Sequence, residues 1–279
     1  MNRYILAVSG GIDSVVLLDM FDWPKDTIVA HYNHGIRPSA DDDCAFVEKL
    51  AHRYGFRFVS ERAALGAQCS EELARRRRYD FLKRLALEHN AEIVTAHHAD
   101  DCIESIIINC LRGTGWRGLA PFGNQEIFRP MQMLTKSDVY RYAAQHKLRF
   151  RLDQTNNDEH YLRNRIRQTA SKQLSAAQKE QLLNLYRRQV DLKAEIEDLL
   201  LQLVGEGKIM PRELLDQTQA PENIELLRFF LRRNGCTVTL PQAERCLREI
   251  KKYSSGKKYS IDKTHFLVAG KHNYHIQQQ

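Results

Sequence analysis

Paired cysteines, a lysine-bearing phosphate loop and long apolar runs are all missing from this chain of 279 residues. Its six cysteines are scattered and none form a C-x-x-C pair, which argues against a zinc ribbon, an iron–sulfur site or a redox dithiol. We therefore expect reduced thiols, as in an intracellular protein. Because no apolar run approaches the length of a membrane span, we expect a cytoplasmic protein without a membrane partner.

Two common phosphate-binding motifs are absent or out of context. The pattern G-x-x-x-x-G-K-[ST] does not occur anywhere in the chain. A G-x-G-x-x-G pattern does run from Gly113 to Gly118, but a helical pattern precedes it. A dinucleotide site needs a strand before the first glycine, so this pattern does not indicate one.

A different phosphate-binding pattern is present near the start of the chain. Residues 4–8 form a short apolar run that predicts a buried strand, and the Ser-Gly-Gly sequence at 9–11 predicts a tight turn. Asp13 or Ser14 can then cap a helix. The N–H groups of such a turn, with the positive end of the helix dipole, favour phosphate or pyrophosphate. Taken alone, the stretch also fits a plain strand-to-helix turn.

Strands and helices alternate through the first half of the chain. The predicted strands are at 4–8, 27–32, 56–60 and 92–96, and the predicted helices include 71–89 and 100–111. This order predicts an α/β fold, with a mainly parallel sheet covered by helices on both faces. Ligands bind at the carboxyl ends of such strands, where the sheet would bring together residues 9–14, 34–37 and 97–101.

The pattern changes after Leu174, where leucines recur at helical spacing and shorter helical segments follow. We therefore predict two domains, a catalytic α/β domain at 1–175 and a small, mainly helical domain at 176–279.

Positive charge is in moderate excess and is clustered. The formal net charge is +7. Residues 141–172 contain eight Lys or Arg against three acids, and residues 245–271 contain eight against two. Such clustering is typical of contacts with a phosphate backbone, although a solvated basic face is an alternative.

Four consecutive arginines, at 75–78, lie within the predicted helix 71–89. Consecutive residues are about 100° apart on a helix, so four of them cover its whole circumference. At least one of these arginines should therefore point toward a neighbouring element or a site. Functional and structural interpretations of the run are equally open.

A second concentrated polar patch spans residues 97–105. Asp101 and Glu104 are i,i+3 neighbours on the predicted helix, and His97 and His98 precede them. No H-x-x-x-H pair accompanies them, so zinc is not indicated. Carboxylates at a helix start are also ordinary capping residues. Because the preceding strand points to the ligand edge, we favour binding of an ammonium group or Mg²⁺.

Together these motifs resemble those of the tRNA(Ile)-lysidine synthetases, a bacterial family within the pyrophosphate-loop ATPases. The resemblance covers about the first 175 residues, in the family's order. Its motifs lie at 9–14, 33–37, 72–82, 97–105, 111–119, 129–130, 153–156 and 163–167. Ser105, Asn33 and Thr155 depart mildly from the family's usual Thr, Asp and Ser.

The resemblance implies a ligase that uses ATP and Mg²⁺. It would adenylate the C2 carbonyl oxygen of the wobble cytidine in CAU-anticodon tRNA(Ile), after which free L-lysine displaces AMP to form lysidine. Decoding would change from AUG to AUA. A homodimer is left open, as are the metal count and the base that accepts the amine proton, His97 or His98.

The resemblance also implies roles for individual residues. The implied catalytic residues are Asp13, Asp101, Glu104 and Arg112. The ATP-binding residues are Ser9, Gly10, Gly11, Ile12, Asp13 and Ser14, with Asp13 also a candidate for holding Mg²⁺. Asp101 and Glu104 would bind lysine, and Arg117 would help Arg112 to steady the adenylated intermediate. Arg163, Arg165 and Arg167, with the basic 176–279 domain, would bind tRNA.

Three alternatives share the same first motif. A tRNA thiolation enzyme would generally need catalytic or paired cysteines, and this chain has no C-x-x-C pair. A small-molecule amidotransferase would leave the basic segments unexplained. A non-catalytic tRNA-binding protein is disfavoured because Asp13, Ser14, Asp101 and Glu104 are all intact.

Overall fold

The structure, a computed structural model, describes residues 3–35, 40–63, 71–122, 126–151, 162–171 and 173–279. Contacts divide the chain into two compact units, one up to Val190 and one from Asp191 to Gln279. None of the described helices combines the length and apolar character needed to cross a bilayer.

The first unit is built around a five-stranded, fully parallel sheet in the order β3-β2-β1-β4-β5. Its strands are β1 Arg3–Ala7, β2 Ile28–Asn33, β3 Arg57–Arg62, β4 Ala91–Val94 and β5 Ile127–Phe128. Its helices are α1 Ile12–Met20, α2 Ala40–Arg53, α3 Glu71–His89, α4 Ala99–Leu111, α5 Lys136–Gln145, α6 Leu162–Ile166 and the first part of α7 Ala176–Val204. A 3-10 turn at Trp116–Leu119 and a π-helical turn at Arg167–Ser171 complete it. The predicted α/β class is confirmed.

Alternating side chains of the central strands pack into two separate cores, one on each face of the sheet. Leu6 and Val94 belong to the core that α1, α2 and α5 cover, whereas Ile5 and Ile93 belong to the core that α3 covers. Side chains of a strand alternate between faces, and both faces of a parallel sheet are normally buried. This explains why these strands read as continuous apolar runs.

The strand order reverses between β1 and β4. From β1 the chain proceeds outward through β2 and β3, and it then returns to β4 on the other side of β1. In open parallel sheets, ligands bind in the crevice beyond the carboxyl ends of strands at such a reversal. The segments that leave β1 and β4 at this point are residues 8–11 and 95–98.

The second unit contains helices and also a sheet that the sequence pattern did not predict. Its helices are the last part of α7, α8 Arg212–Asp216, α9 Glu222–Arg233 and α10 Leu240–Ile250. Its four antiparallel strands are β6 Ile209–Pro211, β7 Lys258–Ser260, β8 His265–Ala269 and β9 Asn273–Gln278, in the order β6-β9-β8-β7. The core includes Phe230, Leu267 and Tyr274, all fully buried.

Helix α7 runs without a break across the division between the units. Leu183 and Tyr186, in its first half, pack in one core with Ile103 of α4, whereas Leu200 and Val204 belong to the core of the second unit. A uniform leucine stripe does not reveal that its two halves pack on different partners. The structural division at 190 and 191 therefore falls later in α7 than the predicted boundary at 175 and 176.

Candidate nucleotide and cation site

The loop between β1 and α1 is closed by a serine at its far end. The Ser14 Oγ accepts hydrogen bonds from the backbone N–H groups of Ser9, at 3.2 Å, and Gly10, at 3.1 Å. It donates to the carbonyl of Gly11 at 2.9 Å. No side chain caps the start of α1, whose N-cap residue is Gly11. The loop therefore presents the first turn of a helix, with N–H donors suited to an anion, at the ligand edge.

Gly10 has a positive φ of +88° and lies against α2. A Cβ added at Gly10 would come within 3.2 Å of Val47 Cγ2 and 3.3 Å of Phe46 Cδ1. Both the backbone conformation and the close approach to α2 favour glycine at this position. Gly10, the first glycine of the Ser-Gly-Gly pattern, is thus needed for the path of the loop.

His98 lies between carboxylates of the β1–α1 and β4–α4 segments. Its Nε2 is 3.7 Å from Asp13 Oδ1 and 3.4 Å from Asp101 Oδ2. The Asp101 carboxylate also accepts a hydrogen bond from the His98 backbone N–H at 3.0 Å, as part of a capping box that begins α4. The reversal in strand order thus brings Asp13 and Asp101 to a single buried histidine.

Lys136, at the start of α5, contacts both of these segments. Its Nζ donates to Asp13 Oδ1 at 2.5 Å, and its backbone N–H donates to Asp100 Oδ2 at 2.7 Å. Lys179 of α7 donates to the other oxygen of Asp100 at 2.8 Å. Burial opposes ionisation of Asp100, but the bonds from Lys179 and Lys136 outweigh it and lower the pKa of the carboxyl. The sequence did not single out Lys136 or Lys179.

The predicted lysine-binding carboxylates are together, and each contacts two arginines. Glu104, only 1% exposed, accepts from Arg163 Nε at 3.0 Å and from Arg167 Nε at 2.7 Å. Asp101 Oδ1 lies 3.4 Å from Nη2 of each arginine. Two carboxylates thus hold two guanidinium groups in a largely buried cluster. We call Asp101 and Glu104 the carboxylate pair, and Arg163 and Arg167 the arginine pair.

Ionisation of Asp101 is stabilised by its neighbours. Burial alone would raise the pKa of this carboxyl, but the electrostatic influence of the neighbouring His98 and Arg163 side chains outweighs burial and lowers the pKa to about 2. Asp101 is therefore negatively charged throughout the physiological range and able to bind a cation.

His97 is held in a different state. Burial lowers the pKa of its imidazole to about 3, although the charge of Asp101 opposes that shift. Its Nδ1 lies 2.7 Å from Thr95 Oγ1, and its ring contacts that of Phe122. A neutral imidazole with so low a pKa is a weak proton acceptor at neutral pH.

Three other predicted site residues lie apart from the carboxylate pair. Arg112 is exposed at the C-terminal end of α4, and the helical rise places it about 16 Å from Asp101. Arg117 is half-buried, with its guanidinium 4.3 Å from the centre of the Trp116 ring. Arg165 is exposed on α6, between the two arginines that contact the carboxylate pair. The motif residues 36–37 and 153–156 lie outside the described residues.

Side chains that could bind a metal ion occur at two places among the described residues, one in each unit. At the nucleotide loop, Asp13 offers a half-exposed carboxylate, and Mg²⁺ is commonly held by one or two carboxylates together with substrate phosphates, so this residue fits the ion. In the second unit, ligand atoms of Cys236, Asp262 and His265 lie within 4.8 Å of one another. The Asp262 carboxylate there accepts hydrogen bonds from the backbone of Thr264 and His265, which gives it a role in closing a turn.

Residues 1–174 match the family model of the PP-loop domain. The chain belongs to the PP-loop family. This membership supports ATP binding by the first unit, and it agrees with the resemblance drawn from the loop at 9–14.

Several proteins with assigned names are also similar in sequence to this chain. The chain is 36% identical over 222 residues to the tRNA(Ile)-lysidine synthase of Geobacter sulfurreducens, a match that covers 74% of this chain and 47% of that protein. It is 38% identical over 186 residues to the bifunctional protein TilS/HprT of Listeria monocytogenes, covering 60% of this chain and 28% of that protein. The chain therefore spans less than half the length of these relatives.

A solved structure shares the fold. The U34-tRNA thiolase NcsA of Methanococcus maripaludis, solved with its [4Fe-4S] cluster, superposes with a TM-score of 0.53 at 17% identity. The match covers 68% of this chain and 74% of that protein. At this level of identity the likeness concerns the architecture of the PP-loop domain.

Proposed function

We propose that this chain is an ATP-dependent ligase that joins lysine to C2 of the wobble cytidine in CAU-anticodon tRNA(Ile). The product would be lysidine, and decoding would change from AUG to AUA. Support comes from the similarity to proteins named tRNA(Ile)-lysidine synthase and from the geometry of the carboxylate pair. The substrates would be ATP, free L-lysine and the tRNA.

One observation carries this proposal. Beside the nucleotide loop, Asp101 and Glu104 already bind two cationic side chains, Arg163 and Arg167. Carboxylates that accept charge-assisted hydrogen bonds from guanidinium groups have the charge and geometry to accept them from the amines of lysine. The pair therefore favours a positively charged nucleophile such as lysine.

In the first step, the C2 carbonyl oxygen of cytidine attacks the α-phosphorus of ATP, and the bond to pyrophosphate breaks. The loop residues Ser9, Gly10, Gly11, Ile12, Asp13 and Ser14 would hold the phosphates through N–H and hydroxyl donors. Stabilising the charge of a leaving pyrophosphate is where such donors contribute most. Asp13 would hold Mg²⁺, which would supply positive charge to the phosphates.

In the second step, the ε-amine of lysine attacks C2, the C2–O bond breaks and AMP leaves. The ammonium must first lose a proton. Since the pKa of His97 is so low, we assign this proton to His98, which lies against both Asp13 and Asp101. Arg112 and Arg117 would steady the adenylated intermediate.

Residues 176–279 would contribute to tRNA binding through exposed positive charge. In the second unit, the exposed basic residues include Arg245, Arg248, Lys252, Lys257 and Lys258. In the first unit, Arg165 is exposed on α6 and would contact the RNA directly. Arg163 and Arg167 would do so once lysine takes their place on the carboxylate pair.

The test combines two readouts in one incubation. Purified protein, ATP, Mg²⁺ and radiolabelled lysine are mixed with a CAU-anticodon tRNA(Ile) transcript or with one that carries uridine at the wobble position. We expect label on the first RNA only, with release of AMP. Release of AMP without labelled RNA would indicate that the nucleophile is not lysine. Absence of both AMP and label would contradict the enzyme proposal.

Variants of the carboxylate pair sharpen the test. Asp101→Asn should raise the KM for lysine at least tenfold while tRNA-dependent adenylation continues, because the residue would bind lysine and not ATP. Glu180→Gln, an exposed acid on α7, is the matched control and should behave as wild type. Loss of adenylation with an unchanged KM for lysine would contradict the role of Asp101.

A further inference from the structure

The run of four arginines on α3 is divided by the structure into two pairs. Arg76 and Arg77 are exposed, whereas Arg75 and Arg78 are half-buried. The two half-buried guanidinium groups flank one ring, at 5.1 Å and 5.5 Å from the centre of Tyr79. The prediction that at least one of the four points inward is confirmed.

Within the part of the chain that the structure describes, the inward pair lacks the carboxylate partners that buried cations normally have. Among residues whose side chains the structure describes, no carboxylate forms an ion pair with Arg75 or Arg78, and the Tyr79 ring is their shared contact. Burial lowers the pKa of Arg78, and the charges of Arg75 and Arg163 act in the same direction. Unpaired charge is costly to bury, so a site of this kind is completed by an anion.

Further positive charge lies around the inward pair. Arg129 is buried, and its Nη1 donates to the carbonyls of Phe122 and Ile127. The charges of Arg75 and Arg129 both act on the imidazole of His97, which places them close to the β4–α4 segment. The inward pair is thus close to the carboxylate pair, at the carboxyl edge of the sheet.

We propose that Arg75 and Arg78 bind a backbone phosphate of the RNA substrate beside the reacting nucleotide. This inference rests on the proposed function, which supplies an RNA whose wobble base must reach the nucleotide loop. A base that leaves its stack carries its own phosphates with it, and these need a cationic surface near the active site. Guanidinium groups match phosphate oxygens in geometry as well as in charge.

The ligand suited to the inward pair is a phosphate group, and both ATP and the RNA substrate carry phosphates. ATP is assigned to the loop at 9–14 because that loop provides N–H donors of its own. The inward pair lies on α3, a helix that packs on β1 and β4 from the opposite face to α1. We therefore assign the RNA to it, and an effect on ATP affinity is an outcome that contradicts this assignment.

The experiment compares Arg75→Met/Arg78→Met with Arg76→Met/Arg77→Met, two variants with the same loss of charge on the same helix. Affinity for a CAU-anticodon stem-loop is measured across a series of salt concentrations, and ATP affinity is measured separately. Each lost phosphate contact should reduce the salt slope by about 0.7 to 0.9. We expect this reduction for the inward variant, with ATP affinity unchanged, and no reduction for the exposed variant.

A chemically modified stem-loop tests whether the inward pair contacts the phosphate beside the wobble nucleotide. Stem-loops with a single neutral methylphosphonate beside the wobble nucleotide should bind the inward variant and wild type equally, because the charge to be contacted is gone. Arg78→Lys should restore most of the salt slope, and the inward variant should keep the denaturation midpoint of wild type. An unchanged slope, an equal loss in both double variants, or a loss of ATP affinity alone would each contradict the inference.

Failure of this inference and failure of the proposed function give different results. If wild type transfers lysine but the inward variant keeps the full salt slope, the phosphate contact is wrong and the ligase stands. If the slope falls but wild type transfers no lysine, the phosphate contact stands and the reaction must be another one on RNA.

Discussion

Charged side chains differ in burial and pairing between the carboxylate and arginine pairs of the first unit and the basic segment 245–271 of the second. In the first unit, Asp101, Glu104, Arg163 and Arg167 are at least half-buried, and every one is engaged in ion pairs. In the second unit, the basic residues of the segment 245–271 are mostly exposed, and those on β7 and in the turn before it face solvent.

The difference follows from what water does to each kind of charge. Charges removed from water interact strongly with their neighbours, and their arrangement is costly to alter. Exposed charges interact weakly with one another but create a field that attracts a polyanion over a distance limited by salt. The charged cluster of the first unit is thus fixed in its arrangement, whereas the basic segment of the second unit is suited to attracting a polyanion.

Glu104→Gln should have the largest effect, because it leaves two guanidinium groups facing a neutral amide. We expect a loss of about 3 kcal/mol in the free energy of unfolding, at the lower end for buried ion pairs since both arginines are partly exposed. Denaturant titration measures this loss. Glu180→Gln breaks an exposed pair with Arg187 and should cost no more than about 0.5 kcal/mol.

If Glu104→Gln and Glu180→Gln lowered the free energy of unfolding equally, buried ion pairs of the first unit would contribute no more to stability than exposed ones, which would contradict this comparison. Arg167→Gln offers a further comparison, because the remaining Arg163 still neutralises Glu104. We expect it to be destabilised by less than Glu104→Gln.

Within any one pH unit, a smaller effect should appear in the pH dependence of stability. The unfolded chain protonates His97 near its ordinary pKa of 6.5, whereas the folded protein keeps the imidazole neutral down to about pH 3. The unfolded state therefore binds more protons in this window, and the free energy of unfolding falls as pH is lowered from 6.5 toward 3. The contribution of one such histidine reaches about 1.4 kcal/mol per pH unit.

The measurement is the free energy of unfolding of wild type and His97→Gln at several pH values in that window. The variant should show a shallower decline than wild type. NMR titration of the imidazole provides a direct check, and a midpoint near 6.5 in the folded protein would contradict the buried, neutral state of His97.

Local patterns predicted much of the first unit. The helix predicted at 71–89 has the bounds of α3, and the first strand and glycine turn occur where the apolar run and the Ser-Gly-Gly sequence place them. Such signals come from residues close in sequence, which is why they can be read without a structure. The association of Asp101 with Glu104 is likewise a matter of helical spacing.

Contacts between distant residues could not be predicted in this way. Lys136 and Asp13 are 123 positions apart, and Arg163 lies 59 positions from Glu104. Strand β9 was missed because Asn273–Gln278 is largely polar, and its register is set by pairing with β6 and β8. Strand preference depends on such partners more than on the strand's own residues.

The smallest effect on the fold is expected for Lys257→Gln/Lys258→Gln, in the exposed basic segment of the second unit. Both side chains face solvent, so the free energy of unfolding should change by no more than about 0.5 kcal/mol. Affinity for tRNA should nevertheless fall. The salt slope of binding should decrease by about 1 to 2, because each lost lysine–phosphate contact releases fewer counterions from the RNA.

Lys25→Gln is the control for this variant. Lys25 is exposed in the turn before β2, at the amino edge of the sheet, away from the ligand edge. If Lys25→Gln lowers the salt slope as much per charge as the double variant does, RNA responds to net charge alone. If only the double variant lowers the slope, the basic segment is a defined contact, and the second unit collects the RNA on which the buried charges of the first unit act.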